Sequence, residues 1–435
     1  LLFFVSILVF CIIKNASVLI ALFLGLIGFV TYAFYQKFTY KQIVQMIFSG
    51  VKDARTILIV FSLMGILTAL WRASGTIPFI IYHTVPLINP EFFVVFAFIL
   101  CSMVSGLTGT SFGTASTMGI ICMMTGRTLG IPAYYMGGAI LAGCYFGDRC
   151  SPVSTSALLV SELTGTNIYI NIKNMIKTSL VPFVFTLAFY TTNGRIGIAG
   201  RMSSESVEFF AQNFNLSPWV TLPALVILIL TFFKLHIKIT ILCSTIAGAL
   251  VCILFQKMSI TDLFRCMIMG FYSDNAQIAA LMNGGGFISM LKTLAIIAIS
   301  ASYFGIFRNT KLLEKIKQWA YKIAQHSTNF ATVLIVSLIT AALSCNQTLT
   351  TMLTYKITDE LVPNREELAV YLENTAIIVS ALIPWSIAAT FPITTIGAPL
   401  NCIIYAVYLY AIPLWNLLVS FIYSRKYKRL KTANR

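Results

Sequence analysis

Tyr145-Phe146-Gly147-Asp148-Arg149-Cys150-Ser151-Pro152-Val153-Ser154-Thr155 sets a carboxylate, a helix breaker and four aliphatic hydroxyl or thiol side chains inside a chain otherwise built for lipid. A partial echo follows in Ser380-Ala381-Leu382-Ile383-Pro384-Trp385-Ser386. Pro152 and Pro384 interrupt apolar segments at comparable points of the two halves. This pattern points to a solute site made from broken helices at an internal repeat.

The surrounding composition fixes the class. Of 435 residues 58% are hydrophobic and only 10% charged, and the mean hydropathy is +0.86. So few charges cannot cover a soluble globule of this size. An α-helical crossing takes about 20 mostly apolar residues, and apolar stretches recur from residue 1 to residue 423. The expected fold is an all-α polytopic membrane protein of roughly ten to twelve membrane segments. Strand alternation of the kind a membrane barrel needs is missing.

The net charge of +16 does not mark a nucleic-acid binder, because the basic residues sit in short loops and at the end of the chain. Lys37, Lys41, Lys52 and Arg55, the stretch Arg308 to Lys322, and Arg425 to Arg429 place their loops and the C-terminus on the cytoplasmic side of a multi-pass cell-membrane protein. The loop 193–217 then falls outside. The ten cysteines form no CxxC pair, and His83, His236 and His326 lie far apart. Neither a metal site nor a disulfide framework is expected, and the cysteines read as small packing residues. HExxH is absent and the three histidines show no metal-ligand spacing, so no enzyme chemistry is read from the chain.

Expected spans cover 1–13, 16–35, 57–72, 92–105, 111–124 and 131–146. An amphipathic surface helix is expected near Tyr40 to Arg55, a re-entrant piece after Ser74-Gly75-Thr76, and a second amphipathic stretch at 168–177 before a closing span at 178–192. The second half carries spans near 218–233 and 237–255, the interruption Asn283-Gly284-Gly285-Gly286, the polar turn Ser344 to Thr351, and the Pro384 break. A repeat is read by pairing Ser74–Thr76 with Gly284–Gly286, Gly106–Ser111 with Ser344–Leu349, and Ser151–Ser154 with Ile383–Ser386. The chain divides as 1–192, a first half; 193–217, an external loop; 218–423, a second half; and 424–435, a basic tail. An odd number of crossings per half makes the repeats inverted, with discontinuous helices and re-entrant hairpins.

Interrupted helices leave amide and carbonyl groups free at membrane depth, and their ends project partial charge into the gap. Thr110, Ser111, Thr114, Ser151, Ser154, Thr155, Ser344, Asn346, Gln347, Thr348 and Ser386 supply hard oxygen donors beside these breaks. Asp148 carries the most weight, since an ionisable group inside the bilayer costs at least about 2.5 kcal/mol. The competing reading sets it at the interface, paired with Arg149 or capping the next segment. Glu373 and Asn374 also lie within an apolar stretch.

Gly147-Asp148-Arg149, Ser151-Pro152-Val153-Ser154, Glu373, Ser380, Leu382-Ile383-Pro384-Trp385 and Gly109-Thr110-Ser111-Phe112-Gly113-Thr114 together resemble the motifs of the NhaC family of sodium/proton antiporters, in the same order, over about residues 50–420. The resemblance implies a two-lobed helical secondary transporter, a homodimer, that works by alternating access with sodium and protons as coupling ions and no other cofactor. Together, the breaks and the resemblance give as ion- or substrate-binding candidates Asp148, Ser151, Ser154, Thr155, Thr110, Ser111, Asn346, Thr348, Glu373, Asn374 and Ser386. Thr155 and Asn374 stand where the family motif has Asp, and Ser386 where it has Asn. With two carboxylates fewer, cation/proton exchange remains the leading expectation. Sodium- or proton-coupled transport of an amino acid or small organic acid is the alternative, its carboxylate suited to half-helix N-termini. The expected partners are membrane lipid, an inorganic cation and a small organic solute, with no nucleic acid.

Overall fold

The computed structural model describes residues 7, 18–84, 89–152, 154–194, 204–233, 235, 237–275, 278–279, 282–309, 312–344 and 346–433. Most of the span expected at 1–13 lies outside the described residues, as do residues 195–203 of the 193–217 loop. The regular structure of the described residues is helical, and their one extended pairing is an isolated bridge between Phe271 and Gly284.

Three helices are long and apolar enough to cross a bilayer: Pro90–Thr108, Ile168–Thr192 and Val407–Ser424. Leu58–Ala73 with Thr76–His83 adds a fourth if the pair, bent by 58° at Ser74-Gly75, is one span. Other apolar helices, such as Lys238–Leu254 and Asn329–Ser344, are shorter. Broken spans fall below the length of a full crossing on each side of the break, so a count by length is well under ten to twelve.

Local chemistry sets the breaks. Ala133–Cys150 runs on through Asp148 and stops at Ser151, which is extended (φ −102, ψ 134) because the Pro152 ring disfavours helical geometry in the residue before it. The chain re-enters a helix at Thr155–Thr164, capped by Ser154, and leaves it at Gly165 in the left-handed region. The second half repeats this arrangement. A rod built from Arg365–Leu372, the π turn Glu373–Ile377 and Ile378–Ser380 gives way around Pro384, and Ser386 caps Ile387–Ile396, which ends at Gly397. Ser154 (φ −69, ψ 131) and Ser386 (φ −73, ψ 142) share one geometry, as do Gly165 (φ 66, ψ 32) and Gly397 (φ 70, ψ 30).

The hydroxyl-rich turns match as well. Thr110 (φ −146, ψ 121) caps a rod of Ser111–Thr114, the π turn Ala115–Gly119 and Ile120–Thr128, while Asn346 (φ −147, ψ 131) caps Gln347–Thr358. Behind the caps Thr108 and Thr114 hydroxyls lie 3.5 Å apart, and Ser344 and Thr350 hydroxyls 2.6 Å apart. Two surface helices agree too: Tyr40–Asp53 is capped by Thr39 and Ile260–Met269 by Ser259. Two positions before each cap stands a lysine at positive φ, Lys37 and Lys257, the two such non-glycine residues among those described.

Two expectations are corrected. Ser74-Gly75 separates two helices, whereas Gly284, Gly285 and Gly286 precede Phe287–Asn309 and lie along Arg55–Ala73, Gly286 N donating to Gly65 O at 2.7 Å. These glycine turns therefore do not correspond. Residues 168–192 form one helix with Pro182 inside it rather than a surface stretch and a span, since Lys173 and Lys177 lower hydropathy without breaking backbone geometry.

Candidate functional site

Asp148 sits one turn from the end of Ala133–Cys150 and is 3% exposed. Its Oδ2 accepts from Ser111 Oγ at 3.1 Å and from Gln347 Nε2 at 3.0 Å. Its Oδ1 accepts from Ser154 Oγ and Ser156 Oγ, both at 3.3 Å. Ser154 Oγ also donates to the Asp148 carbonyl and accepts from the amides of Ser156 and Ala157. Three stretches of the chain, at Ser111, at Ser154 to Ser156 and at Gln347, thus meet one carboxylate.

A cavity of about 140 Å³ opens beside it, lined by residues 110–112, Asp148, 155–156, 346–348 and 387–388. Ser111, Thr155, Gln347 and Ile387 are the first residues of their helical segments. Their amides have no carbonyl one turn earlier to bond, and the positive ends of four helices converge on the space. The lining therefore carries one formal negative charge among four partial positive ones. Hydroxyl, amide and carboxylate oxygens are hard donors, suited to an alkali cation rather than to a metal that prefers thiolate or imidazole. Phe112, stacked on Phe391 at 4.3 Å, gives the cavity an aromatic wall with Ile387 and Ala388.

Arg149 leaves the helix in a different direction and does not pair with Asp148. Fully buried, its Nη1 donates to Tyr408 Oη at 3.2 Å, and its Nη2 to Met175 O at 3.1 Å, Thr178 Oγ1 at 3.3 Å and Asn374 Oδ1. Glu373 heads the π turn beside Asn374; it is 0% exposed and neither carboxylate oxygen has a hydrogen-bond partner. Arg149 is the opposite charge acting on it. None of Arg149, Glu373 and Asn374 lines the cavity, although the Asp148 charge also acts on Glu373.

Of the residues expected in a site, Thr110, Ser111, Asp148, Thr155, Asn346 and Thr348 line the cavity. Ser154 joins through the carboxylate, and Ser386 caps the helix whose first two residues form the wall. Ser151 is buried in the connector, and Glu373 and Asn374 belong to the Arg149 cluster. Ser156 was not anticipated. Its signal is its position two residues beyond a cap, where a first-turn side chain faces the gap.

The profile of the Na+/H+ antiporter family matches residues 1–161 and 143–424. A malate-2H+/Na+-lactate antiporter of Bacillus subtilis is 29% identical over 360 residues, 80% of this chain and 77% of the relative. The Na+/H+ antiporter NhaC of the same organism is 24% identical over 416 residues, covering 93% and 92%. The arginine/ornithine antiporter ArcD of Halobacterium salinarum is 28% identical over 347 residues, covering 77% and 71%. With matched motifs running nearly end to end, this chain belongs to the Na+/H+ antiporter family.

Proposed function

We propose that the protein is a secondary antiporter of the cell membrane that exchanges sodium, or a related alkali cation, for protons by alternating access, with Asp148 as the exchanging carboxylate. The observation that carries this reading is the meeting of Ser111, Gln347, Ser154 and Ser156 on one buried carboxylate at a cavity. A proton or a cation can neutralise Asp148, and each displaces the other. The hydroxyls that donate to the bare carboxylate can rotate to present lone pairs to a cation. Competition at one group couples the two fluxes.

The twin caps support two inverted repeats, 1–192 and 218–423, whose interrupted helices meet at the site. On this reading each half supplies a hairpin tip and a broken span, ten to twelve segments cross the membrane, and the basic tail 424–435 is cytoplasmic. The working unit is a homodimer.

A second reading is coupled transport of an amino acid or small organic acid. It is favoured by a cavity of about 140 Å³, which exceeds the needs of a bare cation, and by the helix N-termini around it. Proteoliposomes decide between them. Sodium-gradient-driven proton movement without any organic solute supports antiport, whereas proton movement that needs an added amino or hydroxy acid supports the second reading and removes the first.

A further inference from the structure

Arg72 lies one residue from the end of Arg55–Ala73 and is 6% exposed. Its Nε and Nη1 have no hydrogen-bond partner, and among the described residues no carboxylate pairs with it. The charged side chain that acts on it is Arg127, of the same sign, and its other titratable neighbour is the Cys266 thiol. Arg127 is differently placed: its Nη2 donates to the Gly397 carbonyl, at the negative end of Ile387–Ile396. Arg72 has no such acceptor.

Backbone without side chains faces the guanidinium. Cβ atoms on Gly284 and Gly285 would stand 3.2 and 3.0 Å from Nη1. Gly284, Gly285 and Gly286 hold φ of 125, 76 and 82, values that L side chains rarely adopt. No side-chain atom of the turn stands between its backbone and Nη1, so any ligand of Arg72 on this side meets main chain. A buried guanidinium with neither counter-charge nor acceptor is costly, and one small anion supplies both.

We infer that Arg72 and the turn Gly284-Gly285-Gly286 form a binding site for a small monovalent anion, a halide or a carboxylate, separate from the Asp148 cavity. The anion is a resident ligand that neutralises Arg72 and clamps the glycine turn to Arg55–Ala73. This inference does not depend on which solute the cavity carries.

The test is thermal unfolding of the purified full chain in detergent, at fixed sodium and ionic strength, with gluconate replaced by chloride, bromide, formate or lactate. The expected result is a saturable rise of about 3 °C with the anion that binds, retained in Asp148→Asn and lost in Arg72→Met. A response to halide alone identifies an inorganic ion, and one to formate or lactate alone a carboxylate. Equal unfolding temperatures in all five salts, or a rise that survives in Arg72→Met, overturns the site. Should Arg72→Met not fold, crystals of the native chain grown in bromide and in formate decide: anomalous bromide density or formate density at Arg72 upholds it, and empty density there in both rejects it.

Discussion

Gln347 reaches across 199 positions of sequence to donate from Nε2 to Oδ2 of Asp148 at 3.0 Å. Ser111, the residue after the cap Thr110, donates to the same oxygen at 3.1 Å. Two helix starts therefore meet at one atom. On the proposed reading, any change in its charge is felt by both halves at once, which is what coupling a bound ion to a movement of the halves requires.

Asp148→Asn is expected to abolish sodium-driven proton movement while the protein still inserts and folds. The amide oxygen can accept from Ser111 and Gln347 in place of Oδ2, and the Ser154 and Ser156 hydroxyls can turn to accept from the new NH2. Proteoliposome flux and unfolding temperature, measured on the same preparation, check both halves of the claim. Coupled flux at the native rate would remove Asp148 from the exchange.

Gln347→Ala removes one charge-assisted donor without touching the charge. Hydrogen bonds to charged groups contribute about 1.5–3 kcal/mol, so the sodium concentration for half-maximal exchange should change by roughly tenfold or more. Ser111→Ala should act in the same direction, and the double variant should fall short of the product of the two, since both act on one oxygen. Independent, fully additive effects would mean that the two tips do not share Asp148 during transport.

Much of this site can be read from residue types alone. Asp148 is conspicuous as a carboxylate in an apolar run, Pro152 and Pro384 as breaks, and Ser154, Ser386, Thr110 and Asn346 as caps, because each acts on its own few neighbours. Rotational phase around the helices is harder to read. Consecutive residues of a helix point about 100° apart, so Asp148 faces the cavity while Arg149 faces Tyr408 and Asn374. Glu373 and Asn374 sit in motif positions yet turn toward Arg149, and no local pattern predicts that side. Glycine spacing was misleading for a related reason: Ser74-Gly75 and Gly284-Gly285-Gly286 look alike in composition, but one bends a span and the other packs against it.

Glycine packing separates two neighbours in the fold. A Cβ on Gly147 would stand 2.0 Å from Gly106 N, backbone against backbone, where Ala133–Cys150 crosses Pro90–Thr108. Gly106 itself has nothing within 4 Å of its own Cβ position. Gly147→Ala should lose folded protein in fluorescence-detected chromatography, because backbone cannot yield as a side chain does. Gly106→Ala should match the native chain or gain up to about 1 kcal/mol from helix propensity.

Outside the membrane, Glu360 accepts from Tyr321 Oη and from Lys317 Nζ at 3.0 Å, tying the loop after Gln347–Thr358 to Leu312–His326. Tyr321 first and Lys317 second hold this carboxyl below its ordinary 4.5, while the tyrosine and lysine are held above their ordinary 10.0 and 10.5. A lowered acid contributes stability that is complete above its ordinary value and lost as pH falls through the folded one. The raised partners lose theirs as pH climbs past their own ordinary values. Glu360→Gln should thus unfold slightly below the native chain from about pH 5 to 9 and converge with it on the acid side. A gap that widens toward low pH would contradict the assignment.

Restoring the two motif carboxylates should give opposite outcomes, because only one of the positions faces the cavity. Thr155 begins a helix at the cavity lining and is exposed there. Thr155→Asp adds a second carboxylate beside Asp148, at a helix N-terminus that favours negative charge, so apparent sodium affinity should rise several-fold. Asn374 instead accepts from Arg149 Nη2, and its own amide donates to Thr178 Oγ1 at 3.3 Å. Asn374→Asp places a carboxylate on a guanidinium that already points at it, and the pair closes within the buried cluster. Unfolding temperature should change while sodium affinity stays within about twofold, because the new charge is neutralised before a cation can use it. Sodium titrations of exchange in the two variants check this, and an affinity gain in Asn374→Asp as large as in Thr155→Asp would place the Arg149 cluster on the cation's route.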